Sequence, residues 1–141
     1  MPATREWEDV RPDFSGEYTL NRQASTLSAA AAAIRSGLVR IKHPDPRFQL
    51  HATFAAADKT LEFSFERLAD GCEVATGPGE SASLRWDGDA LVATDSTKTP
   101  DADLWMSWRY ELQDGGRRLQ AIEQLRGGGR DQDNVWVFAR R

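Results

Sequence analysis

Few residues in this chain have the type and setting to do chemistry, and the most telling is Glu123, which interrupts an otherwise apolar alternation of Leu119, Ala121 and Leu125. A carboxylate on such a face must pair with a cation or meet a ligand group, because an uncompensated buried charge is costly. The alternative is a local bulge that turns it outward. Tyr18 and Tyr110 lie on apolar faces too, and each offers a hydroxyl to a ligand or to water at its tip. Arg67 ends the face of Leu61, Phe63 and Phe65, where a long side chain is expected to snorkel from a rim. His43 sits at a proline-flanked turn and is expected to be solvated. His51 alternates with Leu50 and Ala52 and so falls on the opposite, outer face.

No spacing of a metal or catalytic motif accompanies these groups. Neither histidine has a second at ligand spacing, and Cys72 is alone, which rules out an intrachain disulfide and a thiolate-rich metal site. A lone cysteine in a strand is read as a small buried hydrophobe. Gly127-Gly-Gly-Arg-Asp131 has the glycines of a phosphate cradle but neither its strand-to-helix context nor its Lys-Ser/Thr, and reads as a flexible loop. No metal and no cofactor are expected.

The elements that must position these residues are strands. In Asp103-Leu-Trp-Met-Ser-Trp-Arg-Tyr-Glu-Leu112, the side chains of Leu104, Met106, Trp108, Tyr110 and Leu112 share one face, and Trp105, Ser107, Arg109 and Glu111 the other. The same period of two marks strands over 14–20, 38–42, 47–54, 60–67, 72–76, 81–86, 90–95, 103–112, 117–125 and 134–140. Gly16 reads as a bend or a close approach. Asp70-Gly71, Asp87-Gly88 and Asp114-Gly115 each stand between alternating segments, the signal of a hairpin turn. One helix is expected over 25–36, capped by Ser25 or Ser28, carried by five alanines and stopped by Gly37. Its narrow stripe of Leu27, Ala31 and Ile34 suits either a connector or a lid over a barrel mouth.

Length and charge bound the rest. A chain of 141 residues suits one domain, here an irregular lead-in over 1–13 and a single body over 14–141. The chain is 40% hydrophobic and 28% charged, and no run approaches the roughly 18 apolar residues of a membrane span. Its net charge of −4 is spread through mixed-sign segments, leaving no basic stripe for a nucleic acid. The acidic opening Arg5-Glu-Trp-Glu-Asp9 is unlike a secretory leader, so a cytoplasmic setting is expected. Ten strands with one helix would leave long edges in an open sheet. A closed antiparallel up-and-down barrel of eight to ten strands is the economical expectation, with a sandwich as competitor.

Three stretches carry a resemblance. Phe14-Ser-Gly-Glu-Tyr-Thr-Leu20 resembles the Phe-x-Gly-x-Trp-x-Leu start of the small calycins, the fatty-acid-binding proteins and lipocalin-like domains, with Tyr18 in place of Trp. Trp86-Asp-Gly-Asp-Ala-Leu91 resembles their Asp-Gly-Asp-x-Leu turn, and Asn134-Val-Trp-Val-Phe138 their closing strand. The resemblance implies a β-barrel that carries a lipophile. It also implies a departure: where fatty-acid-binding proteins have an Arg-x-Tyr pair for the ligand carboxylate, this chain has Trp136 and Phe138, which cannot pair with one.

The expected activity is therefore binding of one neutral or weakly polar lipophile inside the barrel, without catalysis. Its lining set is Tyr18, Phe63, Phe65, Trp86, Met106, Trp108, Tyr110, Glu123, Trp136 and Phe138. The same rings would equally serve as a packed core. Two other functions compete: an isomerase or cyclase moving a proton through Glu123, Tyr110 or His51, and a filled module that pairs with a partner or a second copy through an outer patch of Trp7 and Trp105.

Overall fold

The computed structural model describes residues 11–100 and 103–141, and within them ten strands form one antiparallel sheet. In chain order they are β1 Gly16–Leu20, β2 Ser36–Lys42, β3 Arg47–Ala55, β4 Thr60–Leu68, β5 Val74–Gly77, β6 Glu80–Asp87, β7 Ala90–Lys98, β8 Asp103–Gln113, β9 Arg118–Arg126 and β10 Gln132–Arg140. The order across the sheet is β4-β3-β2-β1-β10-β9-β8-β7-β6-β5. First and last strands are therefore neighbours at its centre, with Tyr18 opposite Arg140 and Leu20 opposite Phe138.

The alternation read from the sequence sets which face is inside. Val39 and Ile41 on β2, Phe48, Leu50 and Ala52 on β3, Leu91 and Ala93 on β7, Leu119 and Ala121 on β9, and Trp136 and Phe138 on β10 are all buried in one cluster. Burying such side chains supplies the main drive to curl the sheet around them.

Closure is where the expectation fails. The sheet curls into a half-barrel, and its end strands β4 and β5 share no backbone pairing. Asp70-Gly71 does turn the chain, with Gly71 at φ 75°, but it joins no hairpin: the Gly71 N–H donates to the carbonyl of Leu84 on β6. β5 is too short to zip onto the nine residues of β4, and its register against β6 already shifts between Ala75 and Gly77. At Asp114-Gly115, by contrast, both residues take positive φ, and the loop joins the paired strands β8 and β9.

The expected helix is absent as well. Residues 28–34 form successive turns, with Ala31 N–H donating to Ser28, Ala32 to Ala29 and Ile34 to Ala31. A run this short nucleates a helix poorly. Here the sheet also claims its backbone. Thr26 bridges to Val135, and Ser28 donates its N–H to Asn134 Oδ1 (2.6 Å) and its hydroxyl to Gln132 Oε1 (3.1 Å). Ile34 is buried and Leu27 and Ala31 pack against the core, so the apolar stripe does its work without a helix. Gly37 does not stop a helix but lies inside β2, where a Cβ would meet Phe54 Cδ1 at 2.7 Å.

Candidate functional site

The inner face divides into a packed floor and a more open upper half. On the floor, Phe14, His43, Phe48 and Trp86 meet with ring centroids 5.3–6.2 Å apart. His43 is buried rather than solvated: its Nδ1 accepts the Phe14 N–H (3.2 Å), and its Nε2 lies 3.2 Å from Asp45 Oδ1. That carboxylate oxygen also accepts the Trp86 indole N–H (3.3 Å). The imidazole thus satisfies a strand-end N–H that would otherwise be orphaned in the core. Tyr18 is fully buried beside them, and its hydroxyl donates to the Phe14 carbonyl (2.7 Å). Burial raises the Tyr18 phenol above its ordinary pKa. Trp86 and Tyr18 therefore belong to the floor, where Tyr18 is fully buried and Trp86 partly so.

The upper half holds most of the other predicted residues. β4 folds over the interior until Phe63 faces Trp108 at 6.1 Å. Trp108 stacks on Tyr110 at 6.1 Å and 5°, while Phe65 links Phe63 (5.8 Å) to Phe48 (5.7 Å). Together with Leu50, Phe54 and Phe138, the rings of Phe63, Trp108 and Tyr110 line a partly open cavity of about 20 Å³. That is room for roughly one water molecule. Phe63 is 37% exposed although it lies on the inner face, because no strand stands beyond β4 to cover it.

Polar groups border this apolar seam. Glu123 points inward, opposite Trp108, and its Oε1 accepts from Asn134 Nδ2 (2.9 Å) and Trp136 Nε1 (3.1 Å). Its partners are neutral donors from β10, so no cation is needed to hold it. Among the described residues, the Trp108 indole N–H has only the Met106 sulfur, a weak acceptor, at 3.2 Å. Tyr110 is buried, and loss of solvation drives its phenol far above the ordinary value. It stays neutral and can only donate or accept a hydrogen bond.

Arg67 does not snorkel from a rim. Its side chain is 16% exposed, donates to Asp95 Oδ1 on β7 (2.6 Å) and to the Ser83 carbonyl on β6 (3.2 Å), and lies 4.6 Å over the Phe65 ring. Asp95 was hidden in the sequence only by its charge, since it continues the inward alternation of Leu91 and Ala93. Asn134 is found the same way, two residues before Trp136. Outside this seam, a slot of about 580 Å³ runs between β4 and the β5–β6 hairpin, lined by Phe65, Arg67, Leu68, Val74 and Leu84. Cys72 is exposed on its wall rather than buried in a strand.

His51 is exposed on the outer face beside Arg40 and Ser64, so the structure does not bring it together with Glu123 and Tyr110. Trp105 is 38% exposed on the outer side of β8, and Trp7 lies outside the described residues. Among the described residues, no group of His, Cys, Asp and Glu could hold a metal, and no helix is long and apolar enough to cross a membrane.

No family model and no curated protein matches this sequence. Solved structures do match in three dimensions. The fluorescent protein UnaG superposes with a TM-score of 0.62 at 15% identity, covering 91% of this chain and 97% of that one. A secretory abundant heat soluble protein from Ramazzottius varieornatus gives 0.61 at 13%, covering 90% and 94%. A Schistosoma mansoni fatty-acid-binding protein in complex with arachidonic acid gives 0.54 at 13%, covering 91% and 96%. The fold is that of these β-barrel proteins. Within it, Trp136 and Phe138 are both buried on the inner face of β10, so the two positions that resemble the carboxylate clamp carry an indole and a phenyl ring.

Proposed function

We propose that this protein binds one small lipophilic molecule between the aromatic residues of β4 and those of β8, without covalent chemistry. The observation that carries the reading is the Phe63–Trp108 contact. Two strands with no shared hydrogen bonds meet there through rings alone, one of them 37% exposed. Such a contact separates without breaking a backbone ladder. A guest that parts the rings gains Phe63, Phe65, Met106 and Trp108 as walls, with Glu123 and the Tyr110 hydroxyl as the few polar groups that orient it. The fold supports the reading, since a fatty-acid-binding protein of the same fold is solved with arachidonic acid.

The cavity of about 20 Å³ sets a condition, because pockets for small ligands run to roughly 300 Å³ and more. Binding on this reading requires the upper half to open. Titration with Nile red, followed by energy transfer from tryptophan and by native mass spectrometry, tests it. A saturable one-to-one complex is expected, with transfer reduced in Trp108→Phe more than in Trp105→Phe. Absence of any saturable signal or adduct ends the proposal.

The same small cavity favours a second reading, a filled module that acts through its surface. Trp105, exposed on β8, would then lie in a contact between two copies. Light scattering across concentration separates the two, since only this reading makes the mass rise and Trp105→Ser abolish the rise.

A further inference from the structure

We propose that an apolar guest enters through the slot between β4 and the β5–β6 hairpin, and that Arg67 is the latch holding that slot shut; this rests on the interior-binding reading above. Every other pair of neighbouring strands is sewn by backbone hydrogen bonds, and parting one would break several at once. The floor is plugged by the rings around His43 and tied by the Phe14–His43 and Trp86–Asp45 hydrogen bonds. Over the far end, residues 22–34 are fastened to β10 by the Thr26–Val135 bridge, by Ser28 on Asn134 and by Ser25 Oγ, which accepts the Val137 N–H (2.9 Å).

At the slot the accounting differs. Side-chain hydrogen bonds from β4 to the opposite end of the sheet, among the described residues, both come from Arg67. One goes to a carbonyl at 3.2 Å, and the other to a carboxylate whose side chain is 42% exposed. Water reaches that pair, so it exchanges partners more readily than a pair sealed in a core. The guanidinium also lies over Phe65, which contacts Phe63, which in turn contacts Trp108. Release of Arg67 therefore frees the row of rings that fills the interior. The lips of the slot suit an apolar guest, with Leu68 52% and Val74 59% exposed.

The test uses the whole chain as wild type, Arg67→Met, Asp95→Asn and the double variant. Stopped-flow mixing with Nile red gives the on-rate, and amide hydrogen exchange without any probe gives the opening. The on-rate is expected to rise about tenfold in each single variant and no further in the double, as for two ends of one tie. Exchange should quicken in Thr60–Leu68 and in Val74–Asp87 while the other strands keep their rates. Nile red that binds Arg67→Met at the wild-type rate overturns the proposal, as does acceleration spread evenly over all ten strands. Should Nile red bind no variant, the interior-binding reading fails by itself. The exchange pattern then decides whether Arg67 holds the slot.

Discussion

Phe63 on β4 and Trp108 on β8 stand with ring centroids 6.1 Å apart across the inside of the half-barrel, and this contact brings together two strands that share no backbone pairing. On the proposed reading this is the surface that parts, whereas the floor beneath is a knot of four rings, the buried His43 among them. Because Phe63 is 37% exposed, its truncation forfeits only part of what a buried ring contributes, which is about 3–5 kcal/mol for Phe→Ala in a full core. Phe63→Ala should cost about 1–2 kcal/mol by urea denaturation while speeding Nile red uptake. A cost as large as that of Phe48→Ala would place Phe63 in the rigid core and refute the parting surface.

Glu123 is a structural acceptor in this fold before it is anything else. Its Oε1 takes the indole N–H of Trp136, a side chain 5% exposed, together with the Asn134 amide, and replacement by Leu removes the acceptor that both donors share. Glu123→Leu should cost about 1–3 kcal/mol, the penalty of an unsatisfied buried donor, while Glu123→Gln keeps an oxygen and costs less than about 1 kcal/mol. Equal losses in the two variants by chemical denaturation would show that the charge, not the acceptor, matters.

How far the sequence spoke is plain from these residues. Alternation placed Phe63, Trp108, Tyr110 and Glu123 on one inner face, and hairpin signals gave ten strands in a meander. The break between β4 and β5 could not be read that way. Asp70-Gly71 has the chemistry of a turn, but whether the strands after a turn pair depends on partners far away. Here Leu84 captures the Gly71 N–H and draws the chain across to β6. The alanine run misled for a related reason: helix propensity is local and weak, and Asn134 and Val135 outbid it from 106–109 residues away along the chain. His43 looked solvated beside its prolines because nothing local reveals the unpaired Phe14 N–H that it serves.

Stability should fall in alkali. Burial raises both Tyr110 and Tyr18 above the ordinary phenol value of 10.0, so the folded state holds protons that the unfolded chain releases. The unfolded state binding fewer protons gives a negative slope of stability against pH. The contribution is whole below pH 10 and is lost progressively above it, so urea midpoints should be level from pH 8 to about 9.5 and then decline. Tyr110→Phe should flatten that decline. An unchanged slope in the variant would mean that the Tyr110 phenol is solvated.

Gly37 is the position at which β2 lets a ring lie against its backbone. A methyl there meets Phe54 Cδ1 at 2.7 Å and Cε1 at 3.0 Å, and Phe54 is itself held against Trp136 at 5.1 Å. Gly37→Ala should destabilise by about 1–3 kcal/mol through overpacking, and Phe54→Leu in the same chain should recover part of it. Additive losses in the double variant, measured by thermal denaturation, would disprove the clash.

The central seam of the sheet joins β1 to β10, with Tyr18 opposite Arg140. A chain emerging from the ribosome must therefore wait for its tenth strand before its first can be roofed on both sides. Until then β1 offers one bare edge, and the buried phenol of Tyr18 has half a home. Assembly is thus paced by a search between distant partners rather than by the hairpins that form first.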